Sequence, residues 1–330
     1  MKLKTTLVLT LIITTNLVNG QFAPPVGEVG TSAISKDSSI IVDWASEVID
    51  FQRGLEDISV PEGLLATFGD STEALGVAEG TSGDVVSLGD NGSIVLSFPY
   101  SLRNDEGYDF LVFENSFSDN YLEFAHVEVS SDGERFIRIP SISNIQIDTQ
   151  TGSFGSSDAS LVHNLAGKYR QGYGTPFDLN DIVDSTGIDL NDVNFVRIVD
   201  VVGSVDPLYG TRDSEGNLIN DPFKTDFESG GFDLDAVGVI HDNNPFANLH
   251  EVQKNSINIY PNPTTGSLFI DLNQGEIQSV QILDELGRIL FSGNQSTIDL
   301  NDLDIAHGSY IIVISDKEGN SRMSRFLFTS

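Results

Sequence analysis

No cysteine occurs in the 330 residues, which excludes disulfides, zinc–thiolate sites, thiol nucleophiles and a lipid-modified N-terminal cysteine. Bases are scarce as well: 17 Lys and Arg stand against 49 Asp and Glu, for a formal charge of −32. A field of that sign repels phosphate backbones, so nucleic acid is not an expected partner. Beyond the N-terminus no apolar run approaches the roughly 20 residues a membrane-spanning helix needs, so no transmembrane segment is expected. The signatures G-x-S-x-G, H-E-x-x-H, P-loop and G-x-G-x-x-G are missing, and His126, His163, His241, His250 and His307 are scattered. The chain is not expected to be an enzyme. A glycoside hydrolase needs only two suitably separated carboxylates, so an acid-rich sequence neither shows nor excludes one.

What is present begins with "MKLKTTLVLTLIITTNLVNGQF". Lys2 and Lys4 form a basic head, Leu7 to Ile13 a short apolar core, and Val18 and Gly20 a small-x-small pattern ahead of Gln21. Residues 1–20 therefore read as a cleaved signal peptide. A body follows over 21–242, then an Asn-rich linker over 243–255 and a tail over 256–330. Most of the negative charge belongs to 21–255, with 40 acids against 11 bases, whereas 256–330 has nine against four. That surplus keeps an exported protein soluble and favours hard cations.

The body reads as all-β, a jelly-roll-like sandwich. "GDVVSLGDNGSIVLSFPY" and "FAHVEVSSDGERFIRIP" are hairpins, each with a turn between two alternating runs. "YDFLVFENSF" is apolar at successive positions, as in a strand buried on both faces. "VNFVRIVDVVG" and "GGFDLDAVGVIH" add strands. The spacing of Trp44, Val48 and Phe51, with Gly54 as a stop, predicts a short helix over 43–54. The stretch 141–192 reads as loops with one helical turn near 179–183.

The tail alternates through Ile257, Ile259, Leu268, Ile270 and Leu272, broken by a stiff corner in which Pro261 and Pro263 lack donors and Gly266 frees the turn. Some seven short strands in this length predict a small Ig-like sandwich. Its motifs are YPNP-x-x-G (Tyr260, Pro261, Asn262, Pro263, Gly266), D-x-x-G-R (with Gly287 and Arg288) and G-x-Y (Gly308, Tyr310). In order and spacing they resemble the type A C-terminal sorting domain of type IX secretion. The resemblance implies the type IX machinery as partner, and passage from the periplasm across an outer membrane. The protein would then be released or held at the cell surface, usually with the tail removed. The body resembles a family of bacterial secreted and cell-surface proteins that brings no activity with it. More remotely it is similar to discoidin-like, galactose-binding sandwiches.

Within the body, Asp233 and Asp235 lie two apart on a strand, so both leave one face, with Phe232, Leu234 and Ala236 on the other. Adjacent carboxylates repel unless a cation separates them, which makes the pair candidate calcium ligands, joined by Glu114 and Asn115, with Asp109 or Asp200 in reach. Solvent-facing acids at a strand entrance are the plainer reading. Tyr121, Tyr173 and Tyr209, together with Tyr169 and Phe177, lie in loop-like stretches and suit stacking on a sugar ring; packing the loops down is equally consistent. The expectation is an extracellular, glycan-binding module in which calcium serves structurally. The alternatives are a structural or adhesive surface protein and, third, a glycoside hydrolase.

Overall fold

The computed structural model describes residues 22–244, 257–272, 276–284, 288–303, 305–317 and 321–329. The expected signal peptide, nearly all of the linker and Gly287 lie outside the described residues. The chain separates into two compact units, Met1–Asn244 and Pro245–Ser330. Both are built from antiparallel strands, and no α-helix occurs among the described residues.

In chain order the first unit contains β1 (Ile34–Ser35), β2 (Asp43–Trp44), β3 (Glu47–Gln52), β4 (Val86–Ser87), β5 (Ser93–Leu102), β6 (Phe110–Glu114) and β7 (Ala125–Ser130). It continues with β8 (Ile137–Arg138), β9 (Ile142–Ser143), β10 (Val162–His163), β11 (Tyr173–Phe177), β12 (Val193–Asp200) and β13 (Asp233–Val239). One sheet runs β1-β11-β6-β13-β2 with β4 also on β13, and the other β3-β5-β12-β7-β8. Their inner faces share a core: Phe110 and Val112 of β6, Phe177 of β11, and Leu234, Val237 and Val239 of β13 meet Leu96 of β5, Val127 and Val129 of β7, and Val196 and Ile198 of β12. The architecture is the expected sandwich, because alternating strands can bury an apolar face only against a second sheet. The outer face of β6 is covered too: Leu111 and Phe113 pack with Ala236, Ile41 and Trp44.

Two bulges explain where the periodicity misleads. The expected helix over 43–54 is instead β2 and β3, and the register of β3 against β5 shifts between Val48 and Asp50. A bulge inserts one residue and so brings positions three apart onto one face, which imitates helical spacing. Val48 and Phe51 both pack on the core for that reason. The second bulge lies on β13 between Leu234 and Ala236. Phe232 and Leu234 face the core as expected, but Ala236 is turned to the outer cluster with Leu111 and Phe113. The expected turn near 179–183 is a 3-10 helix, Leu179–Ile182. β11, "YGTPF", escapes sequence reading because its glycine and proline are poor strand formers.

His126, on β7, is buried beside Ser141, whose Oγ is 3.3 Å from Nδ1. Burial and then Arg138 push its pKa down from 6.5 to about 4, against Glu128, the Arg212 carbonyl and Asp213, which raise it. The folded protein therefore binds fewer protons than the unfolded chain between those values. The associated stability is complete above pH 6.5 and is lost as pH falls toward 4. Relative to His126→Gln, the native chain should lose about 3 kcal/mol between pH 7 and pH 4. Paired urea melts across that range test this, and a constant difference between the two proteins would refute it.

The second unit contains β14 (Ile257–Tyr260), β15 (Ser267–Leu272), β16 (Ile277–Leu283), β17 (Ile289–Gly293), β18 (Thr297–Asp299), β19 (Gly308–Asp316) and β20 (Ser321–Phe328). They form sheets β14-β15-β18 and β17-β16-β19-β20 around Leu268, Val280, Ile282, Ile298, Ile312 and Phe326. This is the small sandwich expected of the tail.

Candidate functional site

In the tail the motif residues serve the backbone. Asn262 donates its Nδ2 to the Arg325 carbonyl and accepts the Leu327 amide on Oδ1, both at 3.0 Å, tying the proline corner to β20. At Gly266 an added Cβ would lie 2.6 Å from Nδ2 of the exposed Asn301, whose side chain would have to swing aside. Tyr260 stacks on Phe269 with ring centroids 5.8 Å apart. Arg288 pairs with Asp284 at 2.6 Å. Gly308 opens β19, and the buried Tyr310 donates its hydroxyl to the Ala306 carbonyl.

In the body the antiparallel order gathers strand ends at one end of the sandwich. Glu114, the last residue of β6, pairs with Leu234 at the start of β13, and Asp200, the last of β12, pairs with Ala125 at the start of β7. The Phe232 amide donates to Asp200 Oδ1 (2.7 Å) and the Asn91 amide to Oδ2 (2.9 Å), joining the two sheets at this end. Gly231, at φ +76°, is required there, since an added Cβ would lie 2.8 Å from Asp200 Oδ1. The Phe124 amide donates to Asp221 Oδ2 at 2.6 Å. Asp90, Glu114, Glu123, Asp200, Asp221 and Asp233 are therefore collected beneath the surface, all of them buried.

Their electrostatics follow from that crowding. Burial, then Glu123, raises Glu114 well above the ordinary carboxylate range. Burial raises Glu123, with Asp233, Asp221 and Asp200 adding to it. Asp200 and Asp221 are raised in the same way, and burial brings Asp90 and Asp233 up to about 6. The leading influences on Glu114, Glu123, Asp200 and Asp221 include no positive charge.

The residues expected to hold a metal are divided between two places. Asp233 accepts Ser87 Oγ on Oδ1 and Asn115 Nδ2 (2.9 Å) on Oδ2, so Glu114, Asn115 and Asp233 do share this end. Asp235 is elsewhere: its oxygens accept the Glu79 and Gly80 amides at 3.0 and 2.9 Å and hold that loop. Asp109 is also committed, to the Asp105 and Leu179 amides and His241 Nδ1.

Above the acids the loops carry aromatic rings. Phe117 and Tyr121 lie between β6 and β7, Phe154 between β9 and β10, and Phe227 between β12 and β13. Their rings form a near-parallel row, with successive centroids 4.7, 6.3 and 5.8 Å apart. Phe117 is 64% exposed and Phe154 75%. The Tyr121 hydroxyl donates to the Ser153 carbonyl at 3.3 Å, linking two of the loops. An open cavity of about 1080 Å³ uses the same loops, lined by Phe22, Pro25, Asp119, Asn120, Ser157 and others. Ser157 Oγ is buried there without a partner.

Of the three tyrosines expected at a ligand site, only Tyr121 belongs to this row. Tyr173 is half-buried under the Arg170 guanidinium, 5.2 Å from its ring centroid, and Arg170 in turn grips Asp119. Tyr209 lies near Lys224. Tyr169 is buried with its hydroxyl on Ser32, and Phe177 stacks on Phe110 in the core. Sequence reading passes over Phe117, Phe154 and Phe227. The available signal is an aromatic alone among Ser, Gly and Asn, as in "NSFSDN" and "GSFGSS", with no neighbouring apolar residue to pack against.

A two-unit, all-β architecture with a motif-built terminal sandwich defines a class of protein, one whose last unit is an export address. Residues 258–327 match the family model described as the secretion system C-terminal sorting domain. The C-terminal unit is therefore a type IX sorting domain, and the chain is exported through that machinery to the cell surface or beyond it. No helix among the described residues is long and apolar enough to cross a membrane. No curated protein matches the chain. Among solved structures it is similar to b-glucuronidase from Ruminococcus gnavus in complex with D-glucaro 1,5-lactone, at 12% identity over 73% of this chain and 36% of that one, with a TM-score of 0.20. The same enzyme in complex with uronic isofagomine gives 13% over 89% and 44%, with a TM-score of 0.23. The chain spans less than half the length of these structures, and likeness of that degree carries nothing about activity.

Proposed function

We propose that the body is an extracellular binding module and that its ligand is a glycan laid along Phe117, Tyr121, Phe154 and Phe227. The observation that carries this reading is the exposed aromatic row itself. Leaving large apolar rings in water costs free energy that packing them inward would recover, so their exposure favours a partner. Sugar rings present apolar C–H faces that match aromatic surface, while their hydroxyls need polar groups nearby. Asp119 and Asn120 of the adjoining cavity are such groups. Binding, not hydrolysis, is the reading preferred: Glu114 and Glu123 are 1% and 5% exposed, too enclosed to meet a glycosidic oxygen.

A glycan array probed with the full chain tests the proposal. Binding should appear, and Phe154→Ala should weaken it about tenfold while leaving the melting temperature unchanged, because the ring contacts solvent and not the core. Absence of any binding, or equal binding by Phe154→Ala and Phe117→Ala, would transfer the protein to the structural or adhesive class.

A further inference from the structure

The charges around the aromatic row narrow the glycan reading to one class of sugar. Asp226 and Glu228 stand on either side of Phe227 in the chain, and both are exposed. Glu28 and Asp158, exposed as well, line the cavity that shares the loops of Phe117 and Phe154. Among the described residues no cation is paired with Glu28, Asp158, Asp226 or Glu228. The bases of these loops are spent elsewhere. Arg170 gives Nη1 to both oxygens of Asp119, at 2.8 and 2.6 Å. Lys224, whose carbonyl accepts the hydroxyl of Ser153 beside Phe154, turns its ammonium to Asp57 Oδ2 and Ser59 Oγ at 2.6 and 2.7 Å. Lys168 is buried and donates to the Val162 carbonyl at 2.7 Å. His163 stacks on Phe22 of the cavity wall, ring centroids 5.1 Å apart, and burial lowers its pKa from 6.5, so it is uncharged at neutral pH.

We infer that the ligand is a neutral glycan, and that sugars bearing carboxylate, sulfate or phosphate groups are rejected at this row. The inference rests on the glycan reading above and adds a specificity to it. Neutral and acidic sugars share apolar C–H faces and hydroxyls, so stacking on Phe117 and Phe154 and hydrogen bonds to Asp119 and Asn120 serve both. An acidic sugar must in addition bring its negative charge up to Glu28, Asp158, Asp226 and Glu228, which no cation offsets. It gains no base in return. Anionic groups are recognised by free guanidinium forks, and the fork of Arg170 is closed on Asp119. Like charge placed around a site in this way acts against the wrong ligand and adds nothing to the right one.

The full chain is applied to an array of matched glycans, each backbone present in a neutral form and as its uronate or sulfated counterpart. Chelator is included, so that no divalent ion bridges a sugar acid to a protein acid. Only binding that Phe154→Ala weakens is scored as binding at the row. Neutral members should bind, and each acidic counterpart should bind about tenfold more weakly or worse at low salt. Because the protein acids are exposed, raising sodium chloride from about 0.05 to about 0.5 M should narrow that gap by about threefold. The double variant Asp226→Asn, Glu228→Gln, which alters exposed side chains alone, should narrow it at low salt in the same direction. Acidic members bound as tightly as their neutral counterparts, or more tightly, overturn the inference and leave the glycan reading standing. A gap that neither salt nor the double variant changes also overturns it, since the rejection would then be one of shape. Absence of scored binding to every member removes the glycan reading, and this inference with it.

Discussion

Deletion of residues 256–330 should leave essentially all of the remaining chain in the periplasm, with none on the cell surface or in the medium. The tail has its own core, built from Leu268, Val280, Ile312 and Phe326 among others, and among the described residues it shares no member with the body's main core. Its loss should remove the address, and the truncated chain should keep the cooperative melting of the first unit. Fractionation followed by immunoblotting reads the result. The reciprocal fusion, a carrier protein joined to residues 245–330, should reach the surface. Truncated chain at the surface would mean that the export signal lies elsewhere, even though residues 258–327 match the sorting-domain family.

The second large effect concerns a buried carboxylate at the other side of the acid-rich end, Asp109. Asp109 is fully buried at the approach to β6 and accepts the Asp105 amide (2.9 Å), the Leu179 amide (2.7 Å) and His241 Nδ1 (2.9 Å). It joins the turn before β6, the 3-10 helix after β11 and the end of β13. Asp109→Ala removes the acceptor of the buried Leu179 amide and of the part-buried Asp105 amide and His241 Nδ1 together, at a cost of about 4 kcal/mol. In a unit of this size that lowers the melting temperature by roughly 10 °C. Asp109→Asn retains an acceptor and should lose about half as much. Circular-dichroism melts separate the cases, and an Asp109→Ala protein melting like the native one would show that the three bonds are replaced by water.

Asp109 also illustrates an ambiguity in reading acids from sequence. Asp109, Asp233 and Asp235 all look available for a metal, because spacing reveals which face a side chain leaves but not which amide it meets. Asp235 meets Glu79 and Gly80, far earlier in the chain, and Asp109 meets Leu179 and His241. Glu123 escapes notice since nothing local distinguishes it from the many other acids; its importance arises from Asp221 and Asp233, which are distant in sequence.

The sequence by itself determined the features that depend on neighbours in the chain. Successive apolar residues marked β6, alternation marked β7 and the tail strands, and Pro261, Pro263 and Gly266 marked a corner, because donor loss, fixed φ and freedom from a Cβ are properties of single residues. Together they established the all-β class and the sorting domain. The tertiary structure alone decided the rest. Bulges on β3 and β13 moved side chains to the other face, and such a shift of one residue depends on the partner strand's register. Strand ends from two sheets brought six carboxylates together, and three separate loops aligned four aromatic rings above them. Those juxtapositions come from pairings between residues far apart in the chain, and no local preference encodes them.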